Sequence, residues 1–96
     1  MFKAGMRLRI GAVVLEDLEG AIAGSGVDKV YVVAGPQEAL RVIEEVVKRR
    51  DVDLLLVDDV LVSQIGKSKL AEIKYRNPFP AIVELETNRV PRPVNS

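Results

Sequence analysis

The stretch DVDLLLVDD at residues 51–59 decides the fold of this chain. At its centre lies an uninterrupted Leu/Val run, and an acidic pair closes it. A strand with one solvated face alternates apolar and polar side chains, whereas a continuous apolar run is typical of a parallel strand that helices cover on both faces. We therefore predict that this stretch is the central strand of an α/β sheet.

The segment before this strand carries the clearest helical pattern in the sequence. Residues 36–50 place Ala39, Ile43, Val46 and Val47 on one face at helical spacing. The proline that opens the segment suits the first position of a helix, and the basic residues at its end suit the negative end of the helix dipole. We predict a long amphipathic helix that packs on the sheet.

The rest of the chain continues the alternation of strands and helices. Gly66 interrupts the helical pattern after the central strand, and the Asn-Pro-Phe-Pro run at residues 77–80 ends it. The other predicted strands lie at residues 7–15, 27–34 and 81–86. The other predicted helices lie at residues 18–25 and 60–76. Asp17 can cap the first of these helices, and Asp59 can cap the second.

Four strands alternating with three helices through right-handed crossovers predict an α/β fold. The fold class is a three-layer open parallel four-stranded sheet of order 2-1-3-4, flavodoxin- or receiver-like, with a Pro-rich C-terminal tail. We expect residues 1–86 to form a single domain and residues 87–96 an extended, mobile tail.

Composition narrows the function classes. Basic and acidic residues number 14 each, which argues against a nucleic-acid surface because such surfaces need a basic excess. The chain lacks both cysteine and histidine, which excludes thiolate chemistry, Ser-His-Asp triads and the usual zinc sites. No apolar run reaches the length of a membrane span. We expect a cytoplasmic protein with no catalytic, cofactor or metal residues and no direct insertion into the membrane.

Two glycine motifs do not carry nucleotide chemistry. The Gly-Lys-Ser run that begins at Gly66 lacks the glycine five residues earlier that a phosphate loop requires, since Leu61 stands there. The pair Gly24 and Gly26 comes late in a predicted helix rather than at a strand-to-helix turn. A dinucleotide fingerprint needs its glycines at that turn.

Acidic side chains follow two strands that the predicted order makes neighbours. Glu16 and Asp17 come after the first strand, and Asp58 and Asp59 after the central one. Their convergence at the carboxyl edge of the sheet resembles the acidic pocket of response-regulator receiver domains, so one hypothesis is a receiver-like phosphoacceptor or metal-binding domain that uses Glu16, Asp17 and Asp58. The alternative is that the carboxylates cap the helices that follow each strand.

Four segments of the chain are similar to the F subunit of the archaeal and vacuolar-type (A/V-type) rotary ATP synthases. They are GVDKVYVV at residues 26–33, PQEAL at 36–40, RDVDLLLV at 50–57 and PAIVEL at 80–85. The resemblance implies a noncatalytic central-stalk, or rotor, protein that docks on the coiled-coil D subunit of the shaft and meets the catalytic-head subunits. Such a protein helps couple ATP turnover to proton or sodium translocation and is peripheral to the membrane through the complex.

A docking subunit needs one adhesive face, and the helix after the central strand offers candidates. Aromatic side chains suit interface anchors, and the basic ones can pair with acidic partners. The alternative for the two aromatic rings, Tyr75 and Phe79, is that they close the core. The predicted partner-interface residues are Ile65, Lys67, Lys69, Tyr75, Arg76 and Phe79.

Overall fold

The computed structural model describes residues 8–89 of the chain. In chain order its elements are β1 (Ile10–Leu15), a 3-10 turn (Glu16–Leu18), α1 (Glu19–Ala23), β2 (Lys29–Val33), α2 (Pro36–Arg49), β3 (Leu54–Asp58), α3 (Asp59–Ile65), α4 (Lys67–Arg76) and β4 (Ala81–Leu85). Within these residues, no helix has both the length and the apolar character needed to cross a membrane.

The four strands form one sheet of order β2-β1-β3-β4, and every pair is parallel. Val13 of β1 lies opposite Tyr31 on one side and Val57 on the other, so β1 and β3 are central. The predicted strand order and parallel arrangement are confirmed. The predicted tail from residue 90 onward lies outside the described residues.

Helices cover both faces of β3, as its apolar run predicted. Leu55 and Val57 are fully buried in the larger core, which α2, α3 and α4 build on one face. Leu56 points to the other face and packs with Ile22 of α1 in a smaller core. Burial of each such side chain contributes roughly 1.5–3 kcal/mol. The fold is therefore a three-layer α/β domain with one thick and one thin helical layer.

The predicted amphipathic helix is α2, and its four apolar positions are buried. The Glu38 carboxylate accepts a hydrogen bond from the Ala34 N–H at 2.9 Å, which satisfies a donor just before the helix begins. The helix ends at Arg49. The next residue, Arg50, has a φ of 56°, in the left-handed region that terminates helices. The boundaries follow from these local interactions.

The third predicted helix is two helices, separated at Gly66. This residue ends α3 and begins α4 with a φ of 98°, a conformation that side-chain-bearing residues rarely adopt. The sequence predicted an interruption of one helix at this glycine. In the structure the interruption is complete, and two separate helices meet there. Both helices pack on the same face of the sheet, where Leu61 and Val62 of α3 and Leu70 and Ile73 of α4 join the larger core.

The segment after β1 departs from the prediction. Residues 18–25 were expected to form a helix capped by Asp17, but the structure has the 3-10 turn followed by the five-residue α1. Neither element has a side-chain cap. Gly20 and Gly24 disfavour a longer helix because glycine costs up to about 1 kcal/mol relative to alanine. Ile22 nevertheless reaches the sheet and anchors the thin layer.

Candidate functional site

The carboxyl edge of the sheet brings together most of the acidic residues that the sequence singled out. Asp58 ends β3, Asp59 begins α3, and Asp17 lies in the turn after β1. Since β1 and β3 are neighbours, the three carboxylates meet at one edge, as predicted. Glu16 is exposed and takes no part in the ion pairs described at this edge.

Asp58 is fully buried and joins β1 to α3. Its Oδ2 accepts a hydrogen bond from the Leu15 N–H at 3.0 Å, and its Oδ1 accepts one from the Val60 N–H at 2.9 Å. The second bond caps α3. The sequence predicted Asp59 as this cap, which is wrong by one residue because β3 extends through Asp58.

Asp59 instead binds the segment that follows β4. Its Oδ2 accepts a hydrogen bond from the Thr87 N–H at 2.9 Å, and its Oδ1 accepts one from the Thr87 hydroxyl at 2.7 Å. Burial raises the pKa of Asp59, but the hydrogen bonds from Thr87 and Val60 and the nearby Arg89 outweigh burial and hold the pKa below its ordinary value. The carboxylate is therefore stabilised in its charged form.

Arg89 completes this edge and pairs with two of its carboxylates. Its Nη1 lies 2.5 Å from Asp17 Oδ2, and its Nη2 donates to Asp58 Oδ1. The same Nη2 is 4.0 Å from Asp59, and Nε donates to the Thr87 hydroxyl oxygen at 2.9 Å. We call these five residues the Arg89 cluster. Burial lowers the pKa of Arg89, but the bonds to Asp17 and Asp58 raise it above its ordinary value.

Sequence reasoning missed Arg89 and assigned it to a mobile tail. The first residues of that tail lack regular structure, as expected, but Thr87 and Arg89 are fixed on the sheet. A signal was available, because the carboxyl end of β4 lies at the same edge as the acidic residues. A basic residue soon after β4 can therefore reach them.

The structure does not support the receiver-like phosphoacceptor hypothesis. Asp58, the residue that it would use, is inaccessible, and both of its oxygens already accept hydrogen bonds. The Arg89 guanidinium lies between Asp17 and Asp58, where that hypothesis would put a metal ion. In the region from residue 8 to 89, no group of three or more acidic side chains is arranged to hold a metal.

The two aromatic residues of the predicted interface do not close the core. Tyr75 is 90% exposed on α4, and Phe79 is 47% exposed in the loop between α4 and β4. Leu70 and Ile73 are the α4 side chains that are buried against the sheet. Large apolar side chains left this exposed are available for contact with a partner.

The remaining predicted interface residues do not share one patch. Lys69 and Arg76 lie on the flank of α4 that faces α2, and both pair with Glu72, at 3.9 and 2.9 Å. Lys67 lies on the opposite flank, toward β4. Ile65, at the end of α3, is half-buried and packs against the larger core. We refer to α4 with residues 77–79 as the α4 surface.

This geometry defines an open parallel α/β domain whose carboxyl edge is held by internal hydrogen bonds and ion pairs and whose α4 surface is exposed. The family model of the ATP synthase (F/14-kDa) subunit matches residues 12–93. The chain therefore belongs to this family, the F subunits of A/V-type ATP synthases, and the resemblance noted in the sequence is confirmed. Comparisons with curated proteins and with solved structures gave no significant match.

Proposed function

We propose that this chain is a noncatalytic central-stalk component of an A/V-type ATP synthase. It docks on the coiled-coil D subunit of the shaft, turns with it, and helps couple ATP turnover in the catalytic head to proton or sodium translocation. The observation that carries the proposal is the family match over residues 12–93. In this role the protein is cytoplasmic and peripheral to the membrane through the complex.

The state of the carboxyl edge supports a noncatalytic role. Open α/β sheets bind ligands outside the carboxyl ends of their strands. Here the corresponding carboxylates are held by the backbone, by Thr87 and by Arg89. The groups that could act as a base or a metal ligand are used within the fold instead.

We assign docking to the α4 surface. Tyr75 and Phe79 are exposed aromatic side chains, and such residues are enriched among interface anchors. Lys69 and Arg76 flank them and share one carboxylate, Glu72, so the group carries a positive excess suited to an acidic stretch of a coiled coil. Lys67 lies on the opposite flank of α4 and Ile65 is half-buried at the end of α3, so we assign both to the margin of this docking surface.

The first experiment is affinity purification of the tagged chain from its native source, with mass spectrometry of the bound proteins. We expect the shaft and catalytic-head subunits to be recovered together. Recovery of the folded chain without any ATPase component would overturn the rotor proposal and leave family membership as a statement of common ancestry and fold.

A second experiment tests the docking face separately. Tyr75→Ala combined with Phe79→Ala should weaken recovery of the shaft protein at least tenfold, because truncation of aromatic anchors commonly costs about 2 kcal/mol or more. Tyr75→Ala alone should leave the melting temperature almost unchanged because Tyr75 is almost fully exposed, whereas Phe79→Ala should lower it somewhat because about half of Phe79 is covered. The control is Arg41→Ala on the exposed side of α2. Wild-type recovery by the double variant would move the docking site elsewhere without affecting the rotor proposal.

A further inference from the structure

The outer edge of β4 has no partner strand in the region that the structure describes. The Ala81 N–H donates to the Asp53 carbonyl oxygen at 3.2 Å, so Ala81 faces the neighbouring strand. Because alternate residues of a strand direct their N–H and C=O groups to opposite sides, those of Ile82 and Glu84 point away from β3. They offer a row of hydrogen-bonding groups to an added strand.

A groove of about 330 Å³ lies between this edge and the flank of α4. Its floor is apolar, with Leu70 of α4 and Ile82 of β4 among the side chains that build it, and its rim is charged. An added strand at β4 would place alternate side chains into this groove, beneath α4. The residues that line the groove are Val57, Val62, Lys67, Leu70, Ala71, Lys74, Ile82 and Glu84.

The charge at the rim favours an acidic occupant. Lys67 and Lys74 stand one on each side of Ala71, and no carboxylate of the described residues forms an ion pair with either of them. Glu84 is the one acidic residue that lines the groove, so the rim retains a positive excess. By contrast, the basic residues on the other flank of α4 share Glu72.

The opposite edge of the sheet does not offer the same combination. Strand β2 also lacks an outer partner among the described strands, but Lys29, at its start, is paired with Asp51 at 2.8 Å. A groove directly after β2 is lined by residues 34–38, among which Glu38 is the one charged residue, so it is not basic. Among the described residues, β4 is therefore the sheet edge that combines outward main-chain groups with a groove lined by unpaired lysines.

We propose that β4 accepts a fifth strand in trans, supplied by an extended segment of a partner protein. Every second side chain of this segment lies on the α4 face of the sheet, and these side chains are apolar and acidic in turn. The apolar side chains fill the groove and the carboxylates meet Lys67 and Lys74. Addition of a strand to an exposed edge is a common mode of peptide recognition. It would convert the order 2-1-3-4 into the five-stranded order 2-1-3-4-5. The inference does not rest on the rotor proposal.

The test uses the full chain, labelled with nitrogen-15, and two synthetic probes, acetyl-(Val-Thr-Glu-Thr)2-amide and acetyl-(Val-Thr-Lys-Thr)2-amide, in which valine and the charged residue lie on the same face of an extended strand. We expect the acidic peptide to shift the amide resonances of Ile82 and Glu84, to slow their hydrogen exchange, and to bind at least tenfold more tightly than the basic one. Equal affinities, or shifts confined to β2, would overturn the proposal.

Two sets of variants separate the charge contribution from the main-chain contribution. Lys67→Glu with Lys74→Glu should lower affinity for the acidic peptide at least tenfold, whereas Arg41→Glu with Lys48→Glu on α2, an equal change in net charge, should lower it less than twofold. Glu84→Pro removes an outward N–H and should abolish the exchange protection, and Glu84→Ala should not.

Sedimentation of the chain without peptide measures its oligomeric state and tests whether a second copy of the chain occupies the β4 edge. The proposal expects a monomer. If the chain formed a dimer that Glu84→Pro dissociates, the β4 edge would serve self-association, and the proposal of a strand from a partner protein would be overturned.

Discussion

The carboxyl edge of the sheet and the α4 surface both carry many charges, but the charges are used differently. At the edge, Arg89 bridges Asp17 and Asp58, so the charges are satisfied within the domain. On the α4 surface, Glu72 is the single acidic residue against four basic ones, and Tyr75 is exposed. The carboxyl edge is held together by bonds within the domain, whereas the α4 surface keeps a basic excess and an exposed aromatic ring that are available to a partner.

This difference indicates where to look for function in the domain. A cluster of acidic residues at the ligand-binding edge of an α/β sheet suggests chemistry when the sequence is read alone. Once Arg89 is included, the same cluster is a structural ion network that fixes the end of β4 against β1 and β3. The exposed aromatic and basic side chains of α4 carry no such internal role.

Among variants that test the difference between the carboxyl edge and the α4 surface, Asp58→Asn should have the largest effect on stability. The substitution removes the charge that faces Arg89 and one of the acceptors that hold Leu15 and Val60, so we expect a loss of about 2–4 kcal/mol in the free energy of unfolding. Urea denaturation measures it. The control is Asp17→Asn, whose side chain is 62% exposed and contacts the same guanidinium. It should cost less than about 1 kcal/mol. Equal losses would show that burial does not distinguish the two carboxylates.

A smaller effect is expected from Arg89→Gln. The substitution leaves the buried Asp58 without its cation, although two backbone N–H groups still donate to it. We expect a loss of about 1–2 kcal/mol, measured by urea denaturation. The matched change on the α4 surface is Arg76→Gln, which breaks an exposed i,i+4 pair with Glu72 and should cost less than about 0.5 kcal/mol. If Arg76→Gln were the more destabilising change, the contrast between the two regions would fail.

The fold was predictable because its main signals are local or periodic. The apolar run of β3 indicated coverage on both faces, and the spacing of Ile43 and Val47 gave α2. Right-handed crossovers gave an open parallel sheet, and the order 2-1-3-4 followed from the flavodoxin-like arrangement of alternating strands and helices. The helix after β1 was predicted at the right place, but its bounds and its Asp17 cap were wrong. Glycines and short length leave these boundaries to tertiary packing of Leu18 and Ile22 rather than to a helical pattern.

The Arg89 cluster was only partly predictable from the sequence. Convergence of Asp17 and Asp58 follows from topology, since β1 and β3 are parallel neighbours. The role of Arg89 depends on the path of an irregular segment, and its side chain meets Asp17 across 72 positions of sequence. Irregular segments have no periodicity from which such a contact can be inferred. The exposure of Tyr75 likewise depends on how α4 is rotated about its axis.

The smallest effect concerns Asp59 and appears in the dependence of stability on pH. Its pKa in the folded state is held below the ordinary value of 3.8. The stabilisation is therefore fully present above about pH 4 and is lost as the pH falls through the lower, folded-state pKa. Asp59→Asn retains one acceptor for Thr87 and should cost about 1 kcal/mol at pH 7. The difference from wild type should shrink toward pH 2.

Urea midpoints at pH 7, 4 and 2 measure this difference, with Glu16→Gln as the control. Glu16 is an exposed carboxylate at the same edge that takes no part in the Arg89 cluster, so its variant should follow the wild-type curve at all three values. If the stability difference between wild type and Asp59→Asn stayed constant down to pH 2, the hydrogen bonds between Asp59 and Thr87 would be equally strong with a neutral carboxyl group. The charge of Asp59 would then contribute nothing, and the ion network of the edge would consist of Asp17, Asp58 and Arg89.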